Sequence, residues 1–225
     1  MQKQSSSESL PNILNPTVPA DIGVQSQRQR IIDAMMVCCA EKTYAGTTIS
    51  DVVRSASISR TTFYKRFPDK RTCFDAALDH GIELATAAAA STKSSDDSPA
   101  EAVRKAAAAV LELLAKRPEL ARLLATEAVA VDPAVSARYR ALLLPVIEGL
   151  WNGNGGQGKM SPGLAFGRVQ LLVFSQVAAG RTDHLPDLQP EIVYLALAPF
   201  AGHEEAVRQA RPAYADSPPE AVPGP

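Results

Sequence analysis

The sequence predicts an all-α protein of about nine to ten helices. Between Ile82 and Glu148 the chain has no glycine and is rich in Ala and Leu, without the Val/Ile/Thr alternation that is typical of strands. Capping residues followed by proline recur along the chain, as they do at helix starts. Hydrophobic residues make up 46% and charged residues 21% of the 225 residues, which is the composition of a folded globular protein.

Capping signals mark where individual helices begin. Ser98-Pro99-Ala100-Glu101 is a capping box with proline in the first turn, and Asp132-Pro133 and Ser161-Pro162 repeat the cap-then-proline pattern. Pro118 opens a further helix. We therefore predict helices near 27–43, 48–56, 59–66, 70–91, 99–116, 118–131, 133–151, 162–180 and 189–200, with a shorter helix at 203–211.

Both ends of the chain are predicted to be disordered tails. Residues 1–24 combine serines and prolines with little periodicity, and residues 212–225 contain five of the 17 prolines. Every apolar run is shorter than the roughly 18 residues of a transmembrane helix, and the N-terminus lacks the apolar core of a secretory signal. We therefore expect a cytoplasmic protein that has no membrane span.

The spacing of cysteine and histidine residues gives no sign of a metal site. The chain has three cysteines, of which Cys38 and Cys39 are adjacent, and this fits neither a disulfide framework nor a zinc motif. The three histidines also lack the spacing of metal ligands. We expect buried cysteines in a reducing compartment, and neither a metal nor a cofactor.

Charge is divided unevenly along the chain, whose formal net charge is −1. Residues 25–80 contain nine Lys or Arg and six acidic residues, a balance of +3, whereas residues 81–225 have a balance of −3. Because the overall charge is close to zero, a nucleic-acid partner must be inferred from a local feature. We predict a small basic domain at 25–85 and a larger helical domain at 86–211.

The stretch from Thr47 to Phe74 has the pattern of a helix-turn-helix, which we place at 48–67. Thr48 can cap a short helix, Ile58 provides an apolar plug in the turn, and Pro68 ends the second helix. Phe63 and Phe67 are four residues apart and should face inward. The outer face of the second helix can then offer hydroxyls and cations to phosphates and base edges; it comprises Ser59, Arg60, Thr61, Thr62, Tyr64, Lys65 and Arg66.

Two flanking helices complete this predicted unit. The upstream helix has an apolar stripe at helical spacing, formed by Ile31, Ala34, Met35, Cys38 and Cys39. Downstream, Lys70 lies at the N-terminus of a long helix, where free backbone N–H groups and the helix dipole favour an anion. We predict a three-helix unit with a phosphate clamp at Lys70.

Several short segments follow one another here in a characteristic order: Arg30-Ile31-Ile32-Asp33-Ala34, Tyr44-Ala45-Gly46-Thr47-Thr48, Ile58-Ser59, Phe63-Tyr64-Lys65-Arg66-Phe67, Lys70 and Phe74. Together they resemble the N-terminal domain of the tetracycline-repressor (TetR/AcrR) family of transcriptional regulators. The resemblance covers residues 27–80. It implies that Tyr64 and Lys70 hold phosphates, that the exposed face from Ser59 to Lys65 reads bases, and that Thr48 brings the N-terminus of the helix it caps near the DNA backbone.

The sequence departs from the family pattern at two backbone positions. The family usually has glycine before the apolar plug, where this chain has Ser57, and often has glycine at the end of the first helix, where it has Thr43. Glycine at such places allows a left-handed backbone conformation without steric cost. Because this chain has other residues there, we expect strained left-handed conformations at both.

The resemblance implies a DNA-binding transcriptional regulator. It favours a repressor that binds a palindromic operator as a homodimer and is released when an unidentified small molecule binds the larger domain. We place the dimer interface on the helices near 162–180 and 189–200, which are apolar nearly all round. An activator or a regulator controlled by a protein partner is the alternative within the same fold.

A glycine-rich segment raises an alternative from another class, a nucleotide-binding enzyme. Residues Gly153 to Lys159 satisfy G-x-G-x-x-G and the first seven positions of a P-loop. Met160 stands where a P-loop needs Ser or Thr, and a helical pattern precedes the segment instead of a strand. We therefore interpret the segment as an interhelical loop, and we predict no enzymatic activity.

Overall fold

The structure is a computed structural model that describes residues 20–131, residue 137 and residues 162–210. Within these residues every regular element is helical, which confirms the predicted all-α class. The first five helices are α1 Ala20–Gly46, α2 Ile49–Ser55, α3 Arg60–Tyr64, α4 Lys70–Ala90 and α5 Pro99–Lys116. Helix α6 is continuous over three segments: Pro118–Arg122, a π-helical turn at Leu123–Glu127, and Ala128–Ala130. The last three helices are α7 Pro162–Ala178, α8 Gln189–Ala201 and α9 His203–Ala210. A 3₁₀ helix at Thr182–Leu188 precedes α8.

One helix start and one whole element differ from the sequence prediction. Helix α1 begins at Ala20 instead of residue 27, so residues 20–24, which we assigned to the N-terminal tail, are helical. This first part of α1 has no apolar periodicity, so the pattern that located the rest of the helix could not find its start. The 3₁₀ helix was also not predicted; it buries Leu185 and Leu188 on either side of Pro186.

Some predictions fall on residues that the structure does not describe. These are residues 1–19 of the predicted N-terminal tail, the tail at 212–225, the helix at 133–151 apart from residue 137, and the glycine-rich segment from Gly153 to Lys159. Among the described residues, no helix has both the length and the apolar character needed to cross a lipid bilayer.

The core of the N-terminal unit is the one that helical spacing predicted. The stripe on α1 is buried, and Phe63 and Phe67 are at most 2% exposed. Ile58 packs against the same core from the turn between α2 and α3. Because these apolar side chains fix the inner face of α3, its polar face is turned outward.

Helix α4 connects the N-terminal unit to the rest of the protein. It packs on α1 through one set of residues and on α5 and α6 through another, so one continuous apolar core spans both parts. At Gly81 the backbone of α4 approaches α6 so closely that an added Cβ would lie 2.9 Å from Leu120 Cδ1. A side chain at this position would therefore force the buried Leu120 side chain to shift.

The expected left-handed residues are confirmed. Thr43 has φ 64° and ψ 164°, and Ser57 has φ 51°. Thr43 interrupts the helical conformation near the end of α1, and Ser57 lies in the turn between α2 and α3. Arg30 fixes this turn, because its guanidinium donates hydrogen bonds to the carbonyl oxygens of Ala56 and Ser57.

Helix α2 begins with a reciprocal capping box. The Thr48 hydroxyl accepts a hydrogen bond from the Asp51 N–H at 3.2 Å, and the Asp51 carboxylate accepts one from the Thr48 N–H at 3.0 Å. Lys42 of α1 lies 2.7 Å from the same carboxylate. The hydrogen bond from Lys42, followed by those from Thr48, holds the pKa of Asp51 well below its usual range.

Glycine at position 57 should stabilise the protein. A non-glycine residue at positive φ stores about 1–3 kcal/mol, and glycine at this position loses only about 0.5–1 kcal/mol through greater freedom of the unfolded chain. We expect Ser57→Gly to raise the free energy of unfolding by about 1 kcal/mol, measured by urea titration. The matched control is Ser55→Gly, inside α2, which should lower it; equal effects of the two changes would contradict the strain at Ser57.

The capping box should make stability depend on acidic pH. Because the pKa of Asp51 is lowered by folding, its contribution is complete above about pH 4 and is lost as the pH falls toward its value in the folded protein. We expect Asp51→Asn to be less stable than the native protein at pH 7, with a smaller difference at pH 3, by urea unfolding. Glu112→Gln, which affects an exposed pair with Lys116, should show no such trend.

Candidate nucleic-acid interface

Helix α3 is held in place by its own cap and by α2. The Ser59 hydroxyl accepts a hydrogen bond from the Thr62 N–H at 3.0 Å and lies 2.9 Å from the Thr62 hydroxyl. The Arg60 guanidinium donates to the Ser50 hydroxyl of α2 at 2.7 Å. These polar contacts, with Phe63 buried beneath, give α3 a defined orientation on the three-helix unit.

The outer face of α3 presents polar and charged groups to solvent. Arg60, Thr61 and Lys65 are exposed, and the Tyr64 side chain is 53% exposed although its ring meets Phe63 edge-to-face. Thr62 is half-buried, and its hydroxyl lies against that of Ser59 in the cap. Thr61 is therefore the freer of the two threonines that the sequence indicated.

Lys70 contacts the backbone that connects α1 to α2. Its ammonium donates hydrogen bonds to the carbonyl oxygens of Tyr44 and Thr47, both at 2.9 Å, and lies 4.2 Å from the centroid of the Tyr44 ring. An ammonium group has three N–H donors, so these two bonds to described residues leave one for a phosphate. The sequence indicated Lys70 but not these acceptors, because main-chain carbonyls have no residue signature.

Asp69 changes the electrostatics expected at the N-terminus of α4. Its carboxylate accepts a hydrogen bond from the Thr72 N–H at 2.7 Å, and the hydrogen bonds from Thr72 hold the pKa of Asp69 below its usual range. One of the N–H groups that we expected to favour an anion is thus satisfied within the chain. The Lys70 ammonium therefore has a larger part in any phosphate contact than the sequence suggested.

Glu127 contributes a contact that the sequence analysis missed. Its Oε2 accepts a hydrogen bond from the Tyr44 N–H at 2.7 Å, and the residue is 5% exposed. The two residues are 83 positions apart, so no local pattern could have joined them. Arg28 was also missed; its guanidinium lies 5.3 Å from the centroid of the Phe67 ring, just after α3.

The cysteines near this site belong to the core. Cys38, Cys39 and Cys73 are buried, and burial raises the pKa of both Cys39 and Cys73 to about 12. They are therefore protonated thiols at neutral pH and poor nucleophiles. Among the residues that the structure describes, no three His, Cys, Asp or Glu side chains are grouped as metal ligands.

Taken together, the site is a short, firmly capped helix that turns hydroxyl, guanidinium and ammonium groups outward, with a second ammonium beside it on α4. Groups of this kind bind phosphate oxygens and base edges, and a helix of this size fits a major groove.

Comparison with known proteins identifies this unit. Residues 31–77 match the family model described as bacterial regulatory proteins, tetR family. No curated protein matches the chain. The family match runs from within α1 to the first part of α4, includes the predicted helix-turn-helix, and agrees with the predicted resemblance.

Solved structures share the fold over a larger part of the chain. The fatty acid degradation regulator FadR from Bacillus halodurans is 19% identical, with a TM-score of 0.66 over 76% of this chain and 94% of that chain. The transcriptional regulator FadR from Bacillus subtilis, solved in complex with stearoyl-CoA, is 17% identical, with a TM-score of 0.67 over 76% of this chain and 98% of that chain. A TetR-like transcriptional regulator from Rhodococcus sp. RHA1 is 20% identical, with a TM-score of 0.62 over 78% and 96%.

At these identities the likeness to the solved structures is one of fold, and it extends from the matched N-terminal unit through the larger helical domain. Residues 31–77 thus match the tetR family of bacterial regulatory proteins, and the chain shares the fold of solved transcriptional regulators of this type.

Proposed function

We propose that the protein is a ligand-responsive repressor that binds a palindromic operator as a dimer and releases it when a small molecule binds the larger domain. The observation that supports this most directly is the outward face of α3, whose position is fixed by the Ser59 cap and by buried Phe63. Two such helices, one from each subunit, would enter successive major grooves about one helical turn apart.

The proposed contacts fall into two kinds. Tyr64, Lys65 and Lys70 would contact phosphates, and Thr48 would bring the N-terminus of α2 near the DNA backbone. Ser59, Arg60, Thr61 and Thr62 lie at the N-terminal end of α3, where base edges are closest. Thr61 is exposed and, unlike Ser59 and Thr62, takes no part in the cap. Phosphate contacts would supply most of the affinity, and base contacts the specificity.

The effector is proposed to be a small molecule that binds the larger domain. The Bacillus subtilis regulator of the same fold was solved with stearoyl-CoA, so acyl-CoA esters are the first class of compound to test. Helix α4 would transmit the change, because it contains Lys70 at its N-terminus and packs against α5 and α6 further along.

Dimerisation is proposed through α7 and α8. Leu171 of α7 is 65% exposed and Phe174 is 38% exposed, and α7, α8 and α9 border a groove of about 700 Å³ lined partly by Leu171 and Tyr194. Exposed apolar groups beside such a groove favour a second copy of the chain as occupant. Val193 and Leu197, which the sequence also placed on these helices, are buried within the subunit.

Variants at Lys70 and Thr61 test the proposed DNA contacts. Lys70→Ala should weaken binding to every duplex about equally and reduce the slope of log K against log salt by roughly one per subunit. The native protein should have a slope of about −4 or steeper, because the dimer makes at least four to six phosphate contacts. Thr61→Ala should cost about 1–3 kcal/mol on an operator selected from random DNA and little on other sequences.

Fluorescence anisotropy with labelled duplexes at several salt concentrations measures both effects. Glu112→Gln, on the exposed surface of α5, is the control and should bind like the native protein. Native binding that does not respond to salt would contradict the proposed function, provided that circular dichroism shows a folded protein.

A charge on the exposed face of α7 tests the dimer. Leu171→Glu should produce a species of 23.9 kDa in sedimentation experiments at micromolar concentration and weaken operator binding at the same time. Val129→Glu, at another apolar side chain that is 44% exposed, should leave the dimer intact. A native protein that sediments as a monomer would disprove this part of the proposal.

A further inference from the structure

Glu127 is a buried acidic side chain that connects the larger domain to the DNA-binding unit. It lies at the end of the π-helical turn of α6 and is 5% exposed. Its Oε2 accepts a hydrogen bond from a main-chain N–H, that of Tyr44, at 2.7 Å. A π-helical turn inside an α-helix is uncommon, and such turns are often found at functional sites.

The Tyr44 N–H is available to Glu127 because of the strained residue before it. The angle ψ of Thr43 sets the orientation of the peptide group between residues 43 and 44. Its value of 164° turns that peptide roughly 150° away from its orientation in an α-helix. The Tyr44 N–H is thereby directed out of the helical ladder, and the carboxylate of Glu127 satisfies it.

Tyr44 also contacts Lys70, through its carbonyl oxygen and through its ring. Its carbonyl oxygen accepts one hydrogen bond from the Lys70 ammonium, and its ring lies under the same group at 4.2 Å. The ring is fixed in turn by Phe74, with ring centroids 4.6 Å apart. Glu127 therefore holds the N–H side of Tyr44, while the carbonyl and ring of Tyr44 hold Lys70.

Helix α6, which contains Glu127, contacts both the larger domain and the DNA-binding unit. Helix α6 packs against α4 at the close approach of Gly81 and Leu120, and it also packs against α1 and α7. A shift of α6 would move the Glu127 carboxylate and, with it, the Tyr44 N–H; the Tyr44 carbonyl in the next peptide group, which accepts from Lys70, would move through the shared Tyr44 backbone.

We propose that Glu127 is a positioning residue for DNA binding: through the backbone of Tyr44 it sets the place of the Lys70 ammonium, so that the state of α6 controls this phosphate contact. This inference rests on the proposed role of Lys70 in binding phosphate. It adds, to the route through α4, one hydrogen bond through which α6 acts on the same ammonium group.

A double-mutant cycle tests the proposal on the full-length protein. The variants are Glu127→Leu, which fills the buried space but cannot accept the Tyr44 N–H, Lys70→Ala, and the two combined. The probe is a labelled duplex of mixed sequence and roughly 30 base pairs, long enough for two half-sites. Affinity is measured across a range of salt concentrations, and circular dichroism and thermal unfolding check that each variant is folded.

If Glu127 acts through Lys70, Glu127→Leu should weaken binding about as much as Lys70→Ala, on the order of tenfold, and reduce the salt slope by a similar amount. The double variant should then bind no more weakly than Lys70→Ala alone, because the two changes remove the same contact. Glu127→Gln keeps an oxygen acceptor and should restore most of the affinity.

Other results distinguish a wrong role for Glu127 from a wrong role for Lys70 in binding phosphate. Additive losses, or native affinity in Glu127→Leu while Lys70→Ala binds weakly, would overturn the role of Glu127 and leave the phosphate contact standing. Native affinity and salt slope in Lys70→Ala would overturn both. Glu119→Gln, near the start of the same helix, is the control and should bind like the native protein, because Glu119 pairs with Arg117.

A second variant keeps the test valid if Glu127→Leu does not fold. Glu127→Asp keeps the charge but withdraws the carboxylate by one methylene, away from the Tyr44 N–H. It should show the same loss of affinity and the same dependence on Lys70. Native affinity in a folded Glu127→Asp protein would overturn the proposal.

Discussion

The break in α1 at Thr43 is the constraint on which much of this structure depends. A continuous helix would use its main-chain groups internally, whereas the break gives the next residues main-chain groups that other elements can use. The Tyr44 N–H contacts α6, and the carbonyls of Tyr44 and Thr47 contact α4. Three elements from two parts of the protein thus meet at a few main-chain atoms.

Such a strained backbone persists because its surroundings stabilise it. The Thr47 hydroxyl donates a hydrogen bond to the Thr43 carbonyl at 2.7 Å, and the adjoining part of α1 is anchored by fully buried side chains such as Met35 and Cys39. Burial of several such groups outweighs a local strain of about 1–3 kcal/mol. Strain here accompanies the contact between the two parts of the protein, which is where a conformational change would be transmitted.

The sequence predicted what depends on local spacing and missed what depends on distant partners. Helical periodicity located the buried stripe on α1, and capping chemistry located the start of α5 at Pro99. The positive φ at positions 43 and 57 came from the resemblance, since the family commonly has glycine there. Glu127 and its contact with Tyr44 were not predicted, because a carboxylate meeting a main-chain N–H leaves no pattern in either segment. The role of the individual DNA contacts remains a prediction from resemblance.

The distance along the chain between Tyr44 and Glu127 has a consequence during synthesis. At about 5–20 residues per second, the 83 residues that separate them take roughly 4–17 s to be made. During that interval the DNA-binding unit can collapse around its own apolar stripe, but the Glu127 carboxylate that accepts from the Tyr44 N–H has not yet been made. The newly made unit therefore reaches its final backbone arrangement only after α6 has left the ribosome, so the domain that is made first is completed by a residue that is made later.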